Sequence, residues 1–178
     1  METYTAAKPF VDDPGFAFRR AKSLKGLDLN SIDPPIVDII DTLSHVAHCF
    51  TLQCCWGHFV HDGQPSPHGI APLANYADTT TVEYRIAYMA MCIQNSPAGL
   101  RFYNDLKRIV QIDSKYIQFA SADWFWNQHV NSYIIQTEPD RFKTFDTAKV
   151  AVAEALHLQS IRNRMYEAIG KICNHHKT

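Results

Sequence analysis

Residues 49–60 read Cys-Phe-Thr-Leu-Gln-Cys-Cys-Trp-Gly-His-Phe-Val. The first seven carry no apolar recurrence at helical spacing and fit a half-buried strand. Strand parity divides them: Phe50, Leu52 and Cys54 share one face, Thr51, Gln53 and Cys55 the other. The first set reads as core, with Cys54 a small buried hydrophobe, and the second as a polar, accessible face. From Trp56 to residue 79 the chain is rich in Gly, Pro, His and Asp, which predicts a long loop of the lid or binding kind. A rigid strand that aims side chains into a loop is a favoured place for chemistry. Thr51, Gln53, Cys55, Gly57 and His58 are therefore the first candidate site residues.

The flanks constrain the fold. A short helix is expected over residues 16–24, ending near Gly26. Asp33-Pro34-Pro35 then opens a second helix, with Asp33 as N-cap and Pro34 where its missing N–H costs nothing. Its apolar stripe is Ile36, Ile39, Ile40, Leu43 and Ala47. Residues 80–93 alternate like one long strand, and Ser96-Pro97 caps and opens a helix to about Val110. Strands are predicted over 115–125 and 128–136, and a long helix over 146–173 with Val152, Leu156, Ile161, Met165, Ile169 and Ile172 inward. This order predicts an α+β fold: a mainly antiparallel sheet with helices packed on one face, and part of the other face available to a ligand.

At 178 residues, 46% hydrophobic and 20% charged, the chain reads as one domain over residues 1–178 able to bury its own core, with residues 1–12 a loose arm. Lys plus Arg total 17 against 18 Asp plus Glu, a formal charge of −1, which argues against a protein whose main task is to wrap nucleic acid. The basic clusters Arg19, Arg20, Lys22, Lys25 and Arg162, Arg164, Lys171 read as solvated helix faces. No secretory signal opens the sequence, and the longest apolar run, near residues 87–93, is too short to cross a bilayer. Five cysteines, odd in number and without scaffold spacing, indicate a reduced, cytoplasmic protein.

Three constellations carry chemistry. Cys54 or Cys55 with His58, His61 and His68 offers zinc-type ligands in a short window, although the spacing is that of no finger or ribbon. Cys55 could act as a nucleophile if His58 or His129 served as its base and lowered its pKa. Asp123, Trp124, Trp126, His129, Asn131 and Tyr133, placed on paired strands, could stack a planar ring and bond its edge; equally, such pairs stabilise a sheet with no ligand. An exposed Trp124–Trp126 patch would instead suit a protein–protein adaptor. Glycine-rich phosphate loops, dinucleotide fingerprints and His-Glu-x-x-His are absent.

With the elements placed, the chain resembles the wybutosine-synthesising tRNA methyltransferase family. There, a basic N-terminal helix and an acidic-capped helix lead to a strand bearing Thr-Thr-Ser-Ser-Cys-Ala/Ser-Gly-Arg. Here Thr51, Cys55 and Gly57 match, Gln53 and Cys54 replace serines, and His58 stands in the place of the arginine. The run over residues 18–28, the pair Ile32-Asp33 and the later element order are similar in layout. The resemblance implies a pocket bordered by Thr51, Gln53, Cys55, Gly57 and His58 that binds S-adenosylmethionine and acts on a nucleotide-like or small-molecule ligand, with tRNA as partner disfavoured by charge. On that reading His58 and Cys55 are the catalytic residues, His58 orienting the substrate or moving a proton, with Trp124, Trp126, His129 and Asn131 as further ligand contacts, and zinc is the less favoured cofactor. The alternative is a non-enzymatic module that binds a metal or small ligand through the Cys/His cluster of residues 55–68.

Overall fold

In the computed structural model, residues 4–61, 69–73, 80–142 and 145–177 are described. Two antiparallel sheets with helices packed alongside them make an α+β fold. The strands are β1 (Tyr4–Ala6), β2 (Cys49–Cys55), β3 (His58–Val60), β4 (Thr81–Arg85), β5 (Ala87–Ile93), β6 (Ile117–Ala122), β7 (Ser132–Thr137) and β8 (Thr147–Ala151). One sheet runs β1-β6-β7-β5-β2 and the other β3-β4-β8. The helices are α1 (Phe16–Lys25), α2 (Val37–Ser44), α3 (Pro97–Arg108), α4 (Asp123–Gln128) and α5 (Val152–His176). Among the described residues, no helix is long and apolar enough to cross a membrane.

The main core lies between the larger sheet and three helices. Ile36, Ile40 and Leu43 beside α2, Phe102 and Leu106 of α3, and Leu158, Ile161, Met165 and Ile169 of α5 close over Met89, Met91, Ile93, Tyr133 and Ile135. The Ser96-Pro97 start of α3 is formed as expected, the Ser96 hydroxyl accepting from the Gly99 N–H at 3.1 Å. On the opposite face, Phe16 of α1 packs against Phe50 and Cys92. A second cluster on that face joins Ala90, Ala122, Phe125 and Ile134.

Several local expectations give way to longer-range forces. The pairing of β2 with β5 shifts register between Thr51 and Gln53. Such a bulge reverses alternation, so Leu52 and Phe50 no longer share a face with Cys54. Thr51 lies opposite Met91 and Cys54 opposite Met89, both core residues. Phe50, Gln53 and Cys55 lie opposite Cys92, Ala90 and Tyr88 on the other face. The expected strand over 80–93 is two strands in two sheets, parted at Ile86, whose N–H is held by the Asp146 carbonyl at 3.2 Å. Within the expected loop, residues 58–60 are a strand paired to β4. Residues 147–151, expected at the start of the last helix, are a strand in which Ala148 and Val150 are buried and Thr147, Lys149 and Ala151 exposed, a period of two and not of 3.6.

From Tyr4 to Val11 the expected loose arm is tied to the fold. β1 pairs with β6, the Lys8 N–H donates to the Ser121 hydroxyl at 3.0 Å, and the Asn131 side chain accepts from the Val11 N–H and donates to the Val11 carbonyl, both at 2.9 Å. An unpaired sheet edge is thereby covered by the chain's own first strand.

Candidate metal centre

β2 and β5 leave the larger sheet side by side and continue into the smaller one as β3 and β4. Trp56 and Gly57 make the first crossing and Ile86 the second. Gly57 has φ +86°, and a Cβ there would stand 2.7 Å from the Ala87 Cβ and 2.9 Å from its N. Only glycine fits both the left-handed backbone and the close approach. The corner so formed brings Cys55, the last residue of β2, and His58, the first of β3, to the same place.

Asp33 completes the group. Its carboxylate does not cap α2; a 3₁₀ turn, Pro34–Ile36, precedes that helix, and Asp33 Oδ2 instead accepts the Trp56 N–H at 2.7 Å. This swings Asp33 across to the corner, where one ligand atom from each of Asp33, Cys55 and His58 lies within 4.8 Å of the others. The Asp33 Oδ2 to His58 Nε2 separation is 3.7 Å. Around tetrahedral zinc, oxygen and nitrogen ligands with bonds of about 2.0–2.1 Å stand roughly 3.3–3.4 Å apart, so the carboxylate–imidazole pair would have to close by a few tenths of an ångström. The His58 Nδ1 faces the Gly69 carbonyl at 3.5 Å. A proton on Nδ1 would be donated to that carbonyl and would leave the Nε2 lone pair for an ion, the arrangement common behind metal-bound histidine.

The electrostatics argue against a free thiolate nucleophile. Burial, reinforced by the Asp33 carboxylate and offset in part by the Gly57 N–H, pushes the Cys55 thiol up to about 11. A free Cys55 is therefore protonated at neutral pH, whereas a coordinating metal would deprotonate it. Behind the thiol lies Arg162, 5% exposed, its guanidinium 4.1 Å from the Trp56 ring centre and bonded to the Gly57 carbonyl at 3.0 Å. Its field favours the thiolate, and its contacts fix the two residues between Cys55 and His58.

The other expected site residues are scattered. Gln53 lies beside Cys55 on the open sheet face, and Thr51 faces Met91. His61 follows β3 and lines a separate shallow groove with Glu83 and Lys149; His68 lies outside the described residues. Trp124 and Trp126 are on helix α4 and not on a strand, so two residues apart they point in different directions. Trp124 is 54% exposed, while Trp126 packs edge-on against Tyr133 with the Lys8 ammonium over its ring. His129 ends that helix against Phe50, and Asn131 is fully buried holding Val11.

Sequence reasoning missed Asp33 because a carboxylate before Pro-Pro has an ordinary capping role. The resemblance placed S-adenosylmethionine ahead of zinc. The Asp33–Cys55–His58 cluster overturns that order, since its donor set is of the kind zinc takes.

No known family model matches the chain, and no curated protein matches it. Among solved structures, one of the PH1069 protein from Pyrococcus horikoshii is similar at a TM-score of 0.50 and 13% identity, covering 90% of this chain and 94% of that one. A structure of the PH1069 protein from Pyrococcus horikoshii OT3 gives a TM-score of 0.52 at 11% identity, covering 91% and 93%. The likeness is one of fold, spanning nearly the whole of both chains.

Proposed function

We propose that this protein is a metal-binding domain whose ion, of the zinc type, is held by Asp33, Cys55 and His58. The observation that carries the reading is the convergence of three chemically different donors from three separate elements. Asp33 is held there by the Trp56 N–H and the other two by the tight corner at Gly57, which leaves three different donor types facing one point. Oxygen, sulfur and nitrogen donors together suit zinc better than magnesium or calcium, which prefer oxygen alone. Three protein ligands leave a fourth position for water or a ligand, as in zinc sites that bind or transform small molecules. The five cysteines, all free, fit a reducing compartment such as the cytoplasm. A tRNA-directed activity, implied by the motif resemblance, would ask for a basic surface that a formal charge of −1 does not provide.

Purified protein dialysed against limiting zinc should retain one ion per chain. His58→Ala and Asp33→Asn should each weaken binding by about a hundredfold, because each removes or neutralises one of three donors. Circular dichroism on the metal-free variants separates ligand loss from unfolding. Substoichiometric zinc in the wild type, or unchanged affinity in both variants, would sink the reading.

A further inference from the structure

Two cross-strand rows converge on the corner. In the larger sheet, Cys55 lies opposite Tyr88, Tyr88 opposite Gln136, and Gln136 opposite Gln118. In the smaller sheet, His58 lies opposite Arg85 and Arg85 opposite Thr147. Directly opposed residues share a face, so each row puts one donor of the candidate metal centre at the end of a line of side chains on one surface. A cavity of about 340 Å³ occupies the space where these surfaces meet, and Cys55 and Tyr88 of the first row and Arg85 and Thr147 of the second are all in its wall. His58, at 6% exposure, is not in that wall, and Cys55 belongs to both the cavity and the donor cluster.

The rest of the lining defines what the cavity suits. Arg85 contributes a guanidinium whose nearest carboxylate is Glu83 at 3.4 Å, both side chains about one-third exposed. An exposed pair of this kind is weak and exchanges readily for a better-placed carboxylate. Asp146, one residue before Arg85's cross-strand partner Thr147, brings a negative charge to the same wall. Tyr4 and Tyr88 supply aromatic surface from the larger sheet, and Gln53 an amide. Charges of both signs beside aromatic surface, in a volume near the small end of the range for ligand pockets, match a molecule of amino-acid size.

Resting on the metal reading above, we infer that this cavity is a binding pocket for a small zwitterion of the α-amino-acid class, opening at Cys55 onto the metal's fourth position. Arg85 takes the carboxylate, Asp146 takes the ammonium, and Tyr4 and Tyr88 cover the apolar side chain. The carboxylate, held by Arg85, turns one oxygen toward Cys55 and completes the coordination of the ion. None of the pocket's charged residues is itself a metal donor, so pocket and ion are separable by mutation.

Cobalt(II) serves as the metal probe, because its visible absorption reports the coordination sphere. The cobalt-loaded full chain is titrated with L-leucine, with leucinamide, which lacks the carboxylate, and with 4-methylpentanoate, which lacks the ammonium group. Leucine should perturb the cobalt bands saturably, and each one-charge analogue should bind about tenfold more weakly or worse. Arg85→Ala should bind cobalt at the same stoichiometry with the same starting spectrum, yet lose the leucine response by a similar factor. Loaded protein whose spectrum ignores all three probes overturns the pocket and leaves the metal reading intact. An equal response to all three, or one unchanged by Arg85→Ala, overturns the zwitterion class. Failure to bind cobalt or zinc at all removes the metal reading, and this inference with it.

Discussion

The corner around Gly57 and the turn around Trp124 are both dense in aromatic and polar side chains, but they use them differently. At the Trp124 turn most polar groups are spent on the N-terminal segment, although the buried His129 Nδ1 has no hydrogen-bond partner among the described residues. Asn131 bonds both ways to Val11, the Tyr133 hydroxyl donates to the Lys8 carbonyl at 3.1 Å, and Lys8 pairs with Asp123 at 2.6 Å. These groups satisfy the backbone of an N-terminal segment that would otherwise expose an open sheet edge. At the corner, Asp33 accepts one backbone N–H and retains further lone pairs, while His58 Nε2 and the Cys55 thiol converge on the same small volume. Richness in chemistry-bearing residues therefore does not mark a site. What sets the corner apart is the convergence of oxygen, sulfur and nitrogen donors on one small volume.

That contrast predicts two mutational signatures. Gly57→Val should have the largest effect, about 4 kcal/mol of lost stability, since it adds backbone strain at φ +86° and drives a branched side chain into Ala87. Chemical denaturation should show the loss, and any folded fraction should bind zinc poorly because the corner is displaced. A wild-type denaturation midpoint in this variant would mean that the corner is not set by Gly57. Asn131→Ala should cost about 2 kcal/mol, through two lost hydrogen bonds and a φ of 60° that alanine adopts unwillingly. Its zinc affinity should equal that of the wild type, and a weakened affinity would erase the distinction between the two regions. The smallest effect is a pH slope. With the Cys55 thiol at about 11, each ion bound near neutrality displaces a thiol proton. Apparent zinc affinity should thus rise about tenfold per pH unit from neutrality upward, approximately 1.4 kcal/mol per unit. Isothermal titration in buffers of different ionisation enthalpy would count the proton, and a flat profile would remove Cys55 from the ligand set.

Much of the α+β layout could be read from local signals. Ser96-Pro97 announces α3, and the apolar run of residues 49–55 announces β2, because capping and strand patterning act over a few residues. What escaped was decided by partners far along the chain. The bulge near Leu52 exists to keep β2 in register with β5, and no residue within β2 marks it. The break at Ile86 is fixed by the carbonyl of Asp146, sixty positions later in sequence. For the site, parity put Cys55 and Cys54 on opposite faces as the sheet does, while His58, read as loop, opens β3. Asp33 was invisible as a ligand because its role depends on declining an ordinary cap in favour of the Trp56 N–H.

The paired crossing at Gly57 and Ile86 makes the candidate site an angle gauge. Cys55 rides with one sheet and His58 with the other, so the distance between their donor atoms changes whenever the sheets rotate about the corner. An ion gripping both would act as a strut across the bend and fix that angle. Occupancy would then be felt along β4 and β8 as stiffness, well beyond the reach of its own coordination bonds.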